Sequence, residues 1–348
     1  MNDQDPRPRV TVFALGGTIA SLHAGEARSL GGVVPELDAR ALVETVPQLR
    51  DVAVLEAVSF RQVPSADLVL GDLVELASEI KRRLREGAAG VVVTQGTDTL
   101  EETAFALDLL VRSDRPVVVT GAMRNPTLAG PDGPANLLAA VQVAASSQGA
   151  GLGTLVVFND EIHAARFVRK THSSSTAAFQ SPTAGPIGWV YEGRPRVVFR
   201  VPPLQGVPDL QGVTAPPVAL FTATLGDDLR LVAHVESSGY RGLVLEAFGV
   251  GHVPGRVVEA LEDLASRLPV VFASRAGAGE VFRSTYGFPG SERDLLSRGL
   301  ISAGFLDGPK ARVLLSLLLG ALHGLGEVRE AFESLDASIG SSQFRHGS

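Results

Sequence analysis

The chain has 348 residues, 45% of them hydrophobic, a formal charge of −7 and no cysteine. Its length exceeds what one ordinary core serves, so two domains are expected; the acidic balance lacks the basic surplus of a nucleic-acid binder. Without cysteine there is no disulfide, thiolate metal site or cysteine nucleophile, and no apolar run approaches the ~20 residues that span a bilayer.

The first ten residues carry Asp3, Asp5 and two prolines rather than a basic start and a long apolar run, so no secretion signal is expected and the expected location is cytoplasmic. Residues 10–15, 52–60, 90–94, 116–120 and 154–158 are short, near-continuous apolar runs rich in valine, and read as buried strands. Helix-like segments lie between them. The clearest spans 66–85, where leucine and valine recur at helical spacing and Lys81, Arg82, Arg83 and Arg85 crowd the negative end of the helix dipole. Strand alternating with helix implies a doubly wound, mostly parallel sheet.

Residues 193–217 contain Pro195, Pro202, Pro203, Pro208, Pro216 and Pro217 with no helical period, and read as a linker. Beyond them the alternation resumes, with strands at 218–222, 242–247 and 269–274, helices at 227–236 and 255–267, and two closing helices near 309–319 and 327–335. The expected fold is α/β, with a larger N-terminal domain over 1–192 and a smaller C-terminal α/β domain over 218–348. The apolar run 313–322 holds more apolar surface than a small domain readily hides, which points to an oligomer.

In open parallel sheets, ligands bind beyond the carboxyl ends of the strands. Four loops there are unusually polar: Gly16-Gly17-Thr18, Ser65-Ala66-Asp67, Gln95-Gly96-Thr97-Asp98 and Gly121-Ala122-Met123-Arg124. Each alone has a structural reading, since Gly16-Gly17 makes a tight turn and Ser65 or Thr97 can cap a helix. Together they bring hydroxyls and carboxylates to one edge. A phosphate loop is excluded because none of the three lysines follows a glycine. His163 and His172 are too far apart in sequence, and without nearby carboxylates in ligand register, to predict a metal site.

Lysine is scarce: of 31 lysines and arginines only Lys81, Lys170 and Lys310 are lysines, leaving 28 arginines. A lysine kept where arginine is the rule marks a need for an amine that can lose its proton. Lys81 fits chance survival on an exposed helix end, whereas Lys170 lies in the polar run Arg169-Lys170-Thr171-His172-Ser173.

These residues resemble the bacterial-type L-asparaginase and glutaminase family, the two-threonine amidohydrolases. One signature, GGTIA after a strand, falls within 15–20, and a second, GTDT followed by EETA, is at 96–104; further similar segments are 116–124, 132–137, 159–186 and 309–314. The resemblance covers about residues 10–335. It implies a two-domain fold with an active site at a subunit junction in a homotetramer of paired dimers, and hydrolysis of L-asparagine to L-aspartate and ammonia with no metal or organic cofactor. It also implies roles: Thr18 as nucleophile, Thr97 as second threonine, Asp98 on the substrate α-amino group, Lys170 hydrogen-bonded to Thr97, and Ser65 and Ala66 on the α-carboxylate. Gly96, Thr97 and Ala122 complete the expected binding surface, with peptide N–H groups near Gly96 and Thr97 facing the oxyanion.

Two departures stand out. Members of the family carry a tyrosine on the loop after GGTIA, whereas residues 21–34 contain none and its place falls near Gly32. Many secreted members have glutamine where Ala66 stands. The groups left to assist Thr18 are Tyr286, a water held by Glu280 of a neighbouring subunit, or Lys170 acting through Thr97. Alternative readings are a glutaminase-leaning or broad amidase and a non-catalytic amino-acid-binding protein. Amidotransferase relatives acting on misacylated tRNA carry extra N-terminal sequence and are not expected with 17 residues before Thr18.

Overall fold

The computed structural model describes residues 6–17, 19, 21–23, 33–35 and 38–340, with main chain alone for 21–23, 33–35, 339 and 340. Thr18 and Gly32 lie outside the described residues. The chain divides into two compact units, Met1–Pro203 and Leu204–Ser348.

In the first unit the strands are β1 Arg9–Ala14, the short pair β2 Ser21–His23 and β3 Val33–Pro35, β4 Val54–Ser59, β5 Gly90–Thr94, β6 Val117–Thr120, β7 Thr154–Phe158, β8 Glu161–Ala164, β9 Arg169–Lys170, β10 Phe179–Gln180, β11 Gly188–Tyr191 and β12 Arg194–Val197. The helices are α1 Ala39–Glu44, α2 Leu49–Val52, α3 Leu70–Arg85, α4 Leu100–Val111 and α5 Gly133–Ala144. One eight-stranded sheet runs β12-β11-β8-β7-β6-β5-β1-β4; β4, β1, β5, β6 and β7 are parallel, while β8, β11 and β12 pair antiparallel. The central strands are valine-rich and wholly buried because helices cover both faces. Val10, Val12, Val92 and Val118 join Leu42, Leu49, Leu137 and Val141 in one apolar cluster. The strand period of two sends Phe13, Val91 and Val93 to the opposite face, where α3 and α4 pack on each other and on β5 and β6.

The helix expected over 66–85 starts later. Residues Ser65–Asp67 form a single 3-10 turn, and α3 begins at Leu70, where Asp72 Oδ2 accepts the Val69 N–H at 3.1 Å. That carboxylate satisfies an orphan donor of the first turn and defines the start. Within the proline-rich stretch, Arg194–Val197 forms the sheet's edge strand, where Pro195 is tolerated because one side of the ladder has no partner.

The second unit contains β13 Ala219–Thr222, β14 Leu243–Ala247, β15 Val270–Ser274 and β16 Ile301–Ser302 in one parallel sheet of that order, with α6 Val258–Ala265, α7 Glu292–Ser297, α8 Gly308–Ala321 and α9 Leu325–Gly340. The helix expected over 227–236 is only a 3-10 segment, Arg230–His234. Asp227 Oδ1 takes the Leu229 N–H at 2.9 Å and Leu229 sits at φ 48°, so a local side-chain turn displaces the first helical turn. The apolar residues of α8 do not form a free surface: Val313, Leu314, Leu315, Leu317 and Leu318 are all buried against the unit's own sheet. These side chains are spent on the unit's own core and do not point to an oligomer.

Candidate active site

Main-chain proximity brings three of the four expected loops together. Gly16 and Gly17, separated from the end of β1 by one residue, have φ of 99° and 88°, a region open to glycine and costly for other residues. A Cβ on Gly17 would lie 2.0 Å from Gly96 N, and one on Gly16 would lie 2.7 Å from Val63 O. A Cβ on Gly96 would meet Ser65 Oγ at 2.7 Å. The loops after β1, β4 and β5 thus touch where no side chain fits.

Thr97 is buried and lies two residues ahead of the α4 cap, Thr99. Its hydroxyl is therefore not the helix cap: Lys170 Nζ donates to Thr97 Oγ1 at 2.9 Å and to Asp98 Oδ1 at 2.9 Å. The lysine side chain is 17% exposed and that of Asp98 70%, so the carboxylate presents open surface to an incoming cation while the amine faces inward. Ser65 is buried; its Oγ accepts the Asp98 N–H at 3.2 Å and its carbonyl accepts from Thr99 Oγ1 at 2.9 Å. Ala66 is exposed beside it.

The fourth loop follows β6. Asp132 Oδ2 and Oδ1 gather the N–H groups of Met123 and Arg124 at 3.0 and 2.8 Å, and Asn136 Nδ2 donates to Gly121 O at 3.0 Å. Asn136 Oδ1 in turn accepts the Asn159 N–H at 3.0 Å. Ala122 is buried in the apolar cluster, so its methyl belongs to the core and only its main chain is left for a ligand. The bracing by Asp132 and Asn136 escaped the sequence reading, although both fall in family-like segments. Nothing in their spacing marks residues whose partners lie on two other strands' loops.

Lys170 reaches Thr97 from β9, which pairs with β10 as a separate two-stranded ribbon, Lys170 opposite Phe179. Phe179 packs on Phe158 at 4.7 Å between ring centres, and Ser181 Oγ, just past β10, lies 3.0 Å from His163 Nδ1. His163 is fully buried on β8 and burial pushes its pKa down to about 4. His172 is occupied differently, its Nδ1 accepting the N–H groups of Ser174 and Ser175 at 3.1 and 3.0 Å. Among the described residues no group of three or more His, Asp and Glu is arranged to hold a metal ion.

A hydroxyl, an amine and a carboxylate meeting at the carboxyl ends of a parallel sheet are the equipment of an acyl-transfer enzyme. Residues 9–202 match the family model for the asparaginase N-terminal domain, and residues 217–332 match that for the glutaminase/asparaginase C-terminal domain. The chain is 35% identical to the L-asparaginase of Bacillus licheniformis, over 90% of this chain and 96% of that one. It is 32% identical to a probable periplasmic L-asparaginase of Haemophilus influenzae, over 94% and 93%. The crystal structure of a probable cytoplasmic L-asparaginase from Campylobacter jejuni matches with a TM-score of 0.84 at 33% identity, covering 94% of this chain and 99% of that chain. The chain belongs to the asparaginase family.

Proposed function

We propose that the chain hydrolyses the side-chain amide of L-asparagine to L-aspartate and ammonia, through an acyl-enzyme on Thr18. The observation that carries this reading is the position of Lys170 Nζ, 2.9 Å from both Thr97 Oγ1 and Asp98 Oδ1. A threonine hydroxyl attacks an amide only when a neighbouring base takes its proton. Asp98 is the group on which a substrate α-ammonium docks. That cation competes with Lys170 for the same carboxylate, and the lysine in its neutral amine form accepts the proton of Thr97, which takes that of Thr18, or the proton of a water beside it. Peptide N–H groups at Gly96 and Thr97 supply donors to the oxyanion.

Ser65 can serve fold and substrate together: a hydroxyl has acceptor lone pairs, one used by the Asp98 N–H, and a hydrogen to donate to the α-carboxylate. Ala66 and Ala122 contribute main chain to the same surface. The short side chain at Ala66 leaves one fewer polar contact, which favours testing a glutaminase-leaning or broad amidase as the second reading.

Ammonia release from asparagine, glutamine and their D-isomers decides the substrate; preference for glutamine would replace the first reading with the second, and binding of aspartate without any ammonia release would make the chain a sensor. Rapid acid quench and peptide mapping decide the nucleophile. Thr18→Val should abolish turnover and adduct alike, and Thr97→Val should slow acylation while leaving the adduct on Thr18. An aspartyl adduct mapped to Thr97 in the wild-type protein would reverse the two threonines.

The assembly we propose is the family's homotetramer, and a monomeric mass by light scattering with full activity would refute it. No described helix is long and apolar enough to cross a membrane. Relatives are named as cytoplasmic and as periplasmic; the cytoplasm is our assignment for this chain, to be tested by cell fractionation.

A further inference from the structure

The lysine on which the site depends stands on slender support. β9 has two residues and its sheet two strands, and a ribbon of that size is marginal without other anchors. The partner strand β10 is held by Phe179 on Phe158 and, beyond Gln180, by Ser181 on His163. At Lys170 itself the anchor is different. Thr171 N–H bonds Ala178 O across the ribbon at 2.7 Å, so by the alternation of an antiparallel pair the Lys170 N–H points away from β10. That outward N–H donates to the Glu101 Oε2 carboxylate oxygen.

Glu101 lies in the first turn of α4, in the same short segment that begins with Thr97 and Asp98. Lys170 is thereby tied to one segment at both ends: Nζ to Thr97 and Asp98, and main-chain N–H to Glu101. The span between these ties fixes how the side chain reaches Thr97. A carboxylate suits the task because a charge-assisted bond to an N–H is stronger than a neutral one, and the helix N-terminus favours its ionised form.

We propose that Glu101 is a positioning residue for the reaction, gripping the main chain of Lys170 so that Nζ stands against Thr97. The proposal rests on the role assigned to Lys170 above. Glu101 acts through the main chain of the lysine, whose N–H it accepts. A purely structural role, as a first-turn acid complementing the α4 dipole, would affect the stability of the helix and leave the catalytic constants alone.

The test is steady-state kinetics on asparagine for the full chain and for Glu101→Ala, Glu101→Gln, Lys170→Ala and the double variant Glu101→Ala/Lys170→Ala, with melting temperatures alongside. A misplacement of about 1 Å can cost about 100-fold in rate, so Glu101→Ala should lower kcat by tenfold or more. KM should change less than about threefold, since Asp98 is untouched. Glu101→Gln keeps an acceptor oxygen of the same reach and should stay within about threefold of wild type. Because Glu101 works through Lys170, the double variant should be no slower than Lys170→Ala alone. Unchanged kcat in Glu101→Ala, a Gln variant as slow as the Ala variant, or losses that multiply in the double variant would each overturn the proposal. Wild-type protein that releases no ammonia, or Lys170→Ala with full turnover, would instead overturn the site reading beneath it.

Discussion

Lowering the pH should loosen the first unit through one buried imidazole, His163. Burial takes its pKa from an ordinary 6.5 to about 4. Glu161 Oε2 stands 3.3 Å from Nε2 and would favour a charged ring, yet Nε2 makes no aligned hydrogen bond, so burial dominates. A depressed histidine pKa means that between about pH 6.5 and 4 the unfolded chain binds a proton that the folded chain does not. The neutral ring therefore carries no penalty above pH 7, and stability is lost as pH falls through that window. A gap of about 2.5 pH units at about 1.4 kcal/mol each gives about 3 kcal/mol at its limit, and about 2 kcal/mol between pH 7 and 4.5. His163→Asn removes the titration. It lowers stability at neutral pH through lost packing, and its deficit relative to wild type should shrink by about 2 kcal/mol on going from pH 7 to 4.5. Trp189, the single tryptophan, lies on β11 in the first unit, so its fluorescence during urea unfolding reads this unit directly. Stability curves of wild type and variant that run parallel within about 0.5 kcal/mol over this range would refute the assignment of the pH effect to His163.

Two further substitutions probe the site from other directions. Lys170→Arg preserves the charge facing Asp98 but cannot release a proton; turnover should fall below a tenth of wild type, a barrier increase above about 1.4 kcal/mol, and higher residual activity would remove the lysine as the base. Gly17→Ala places a Cβ 2.0 Å from Gly96 N at a φ of 88°, so it should destabilise the first unit by more than about 2 kcal/mol in the Trp189 assay, whereas a neutral effect would mean that the two loops do not meet as described.

The parts of the fold that were legible in the sequence are those with one dominant physical cause. β5 and β7 are continuous apolar runs sealed on both faces, so composition alone outlines them. β8, β11 and β12 are four-residue antiparallel strands of mixed polarity, and nothing in Glu161–Ala164 or Arg194–Val197 separates a short strand from a loop. The segment 227–236 failed for a local reason: its apolar residues have a helical spacing, but the Asp227 side chain captures the chain's first turn.

The site divides along the same line, between residues whose type announces a chemistry and residues whose task exists only in three dimensions. Lys170 could be singled out because an amine stands out among so many arginines, and its Nζ does meet Thr97 and Asp98. Glu101 could not, because an acid in the first turn of a helix is already explained by the helix dipole, and its partner is 69 residues away. Ser65 shows that the two readings need not compete: its hydroxyl accepts the Asp98 N–H as a structural tie and still has a hydrogen to give. The weighing of structural against functional roles in a strand-end loop is therefore not a choice of one over the other. Asp98 is tied down from the β4 side through Ser65, and Lys170 from the α4 side through Glu101, so the groups proposed to react are held in register before any substrate arrives. Pre-organisation of that kind is where such a site gains most of its rate, and it depends on residues that never touch the amide.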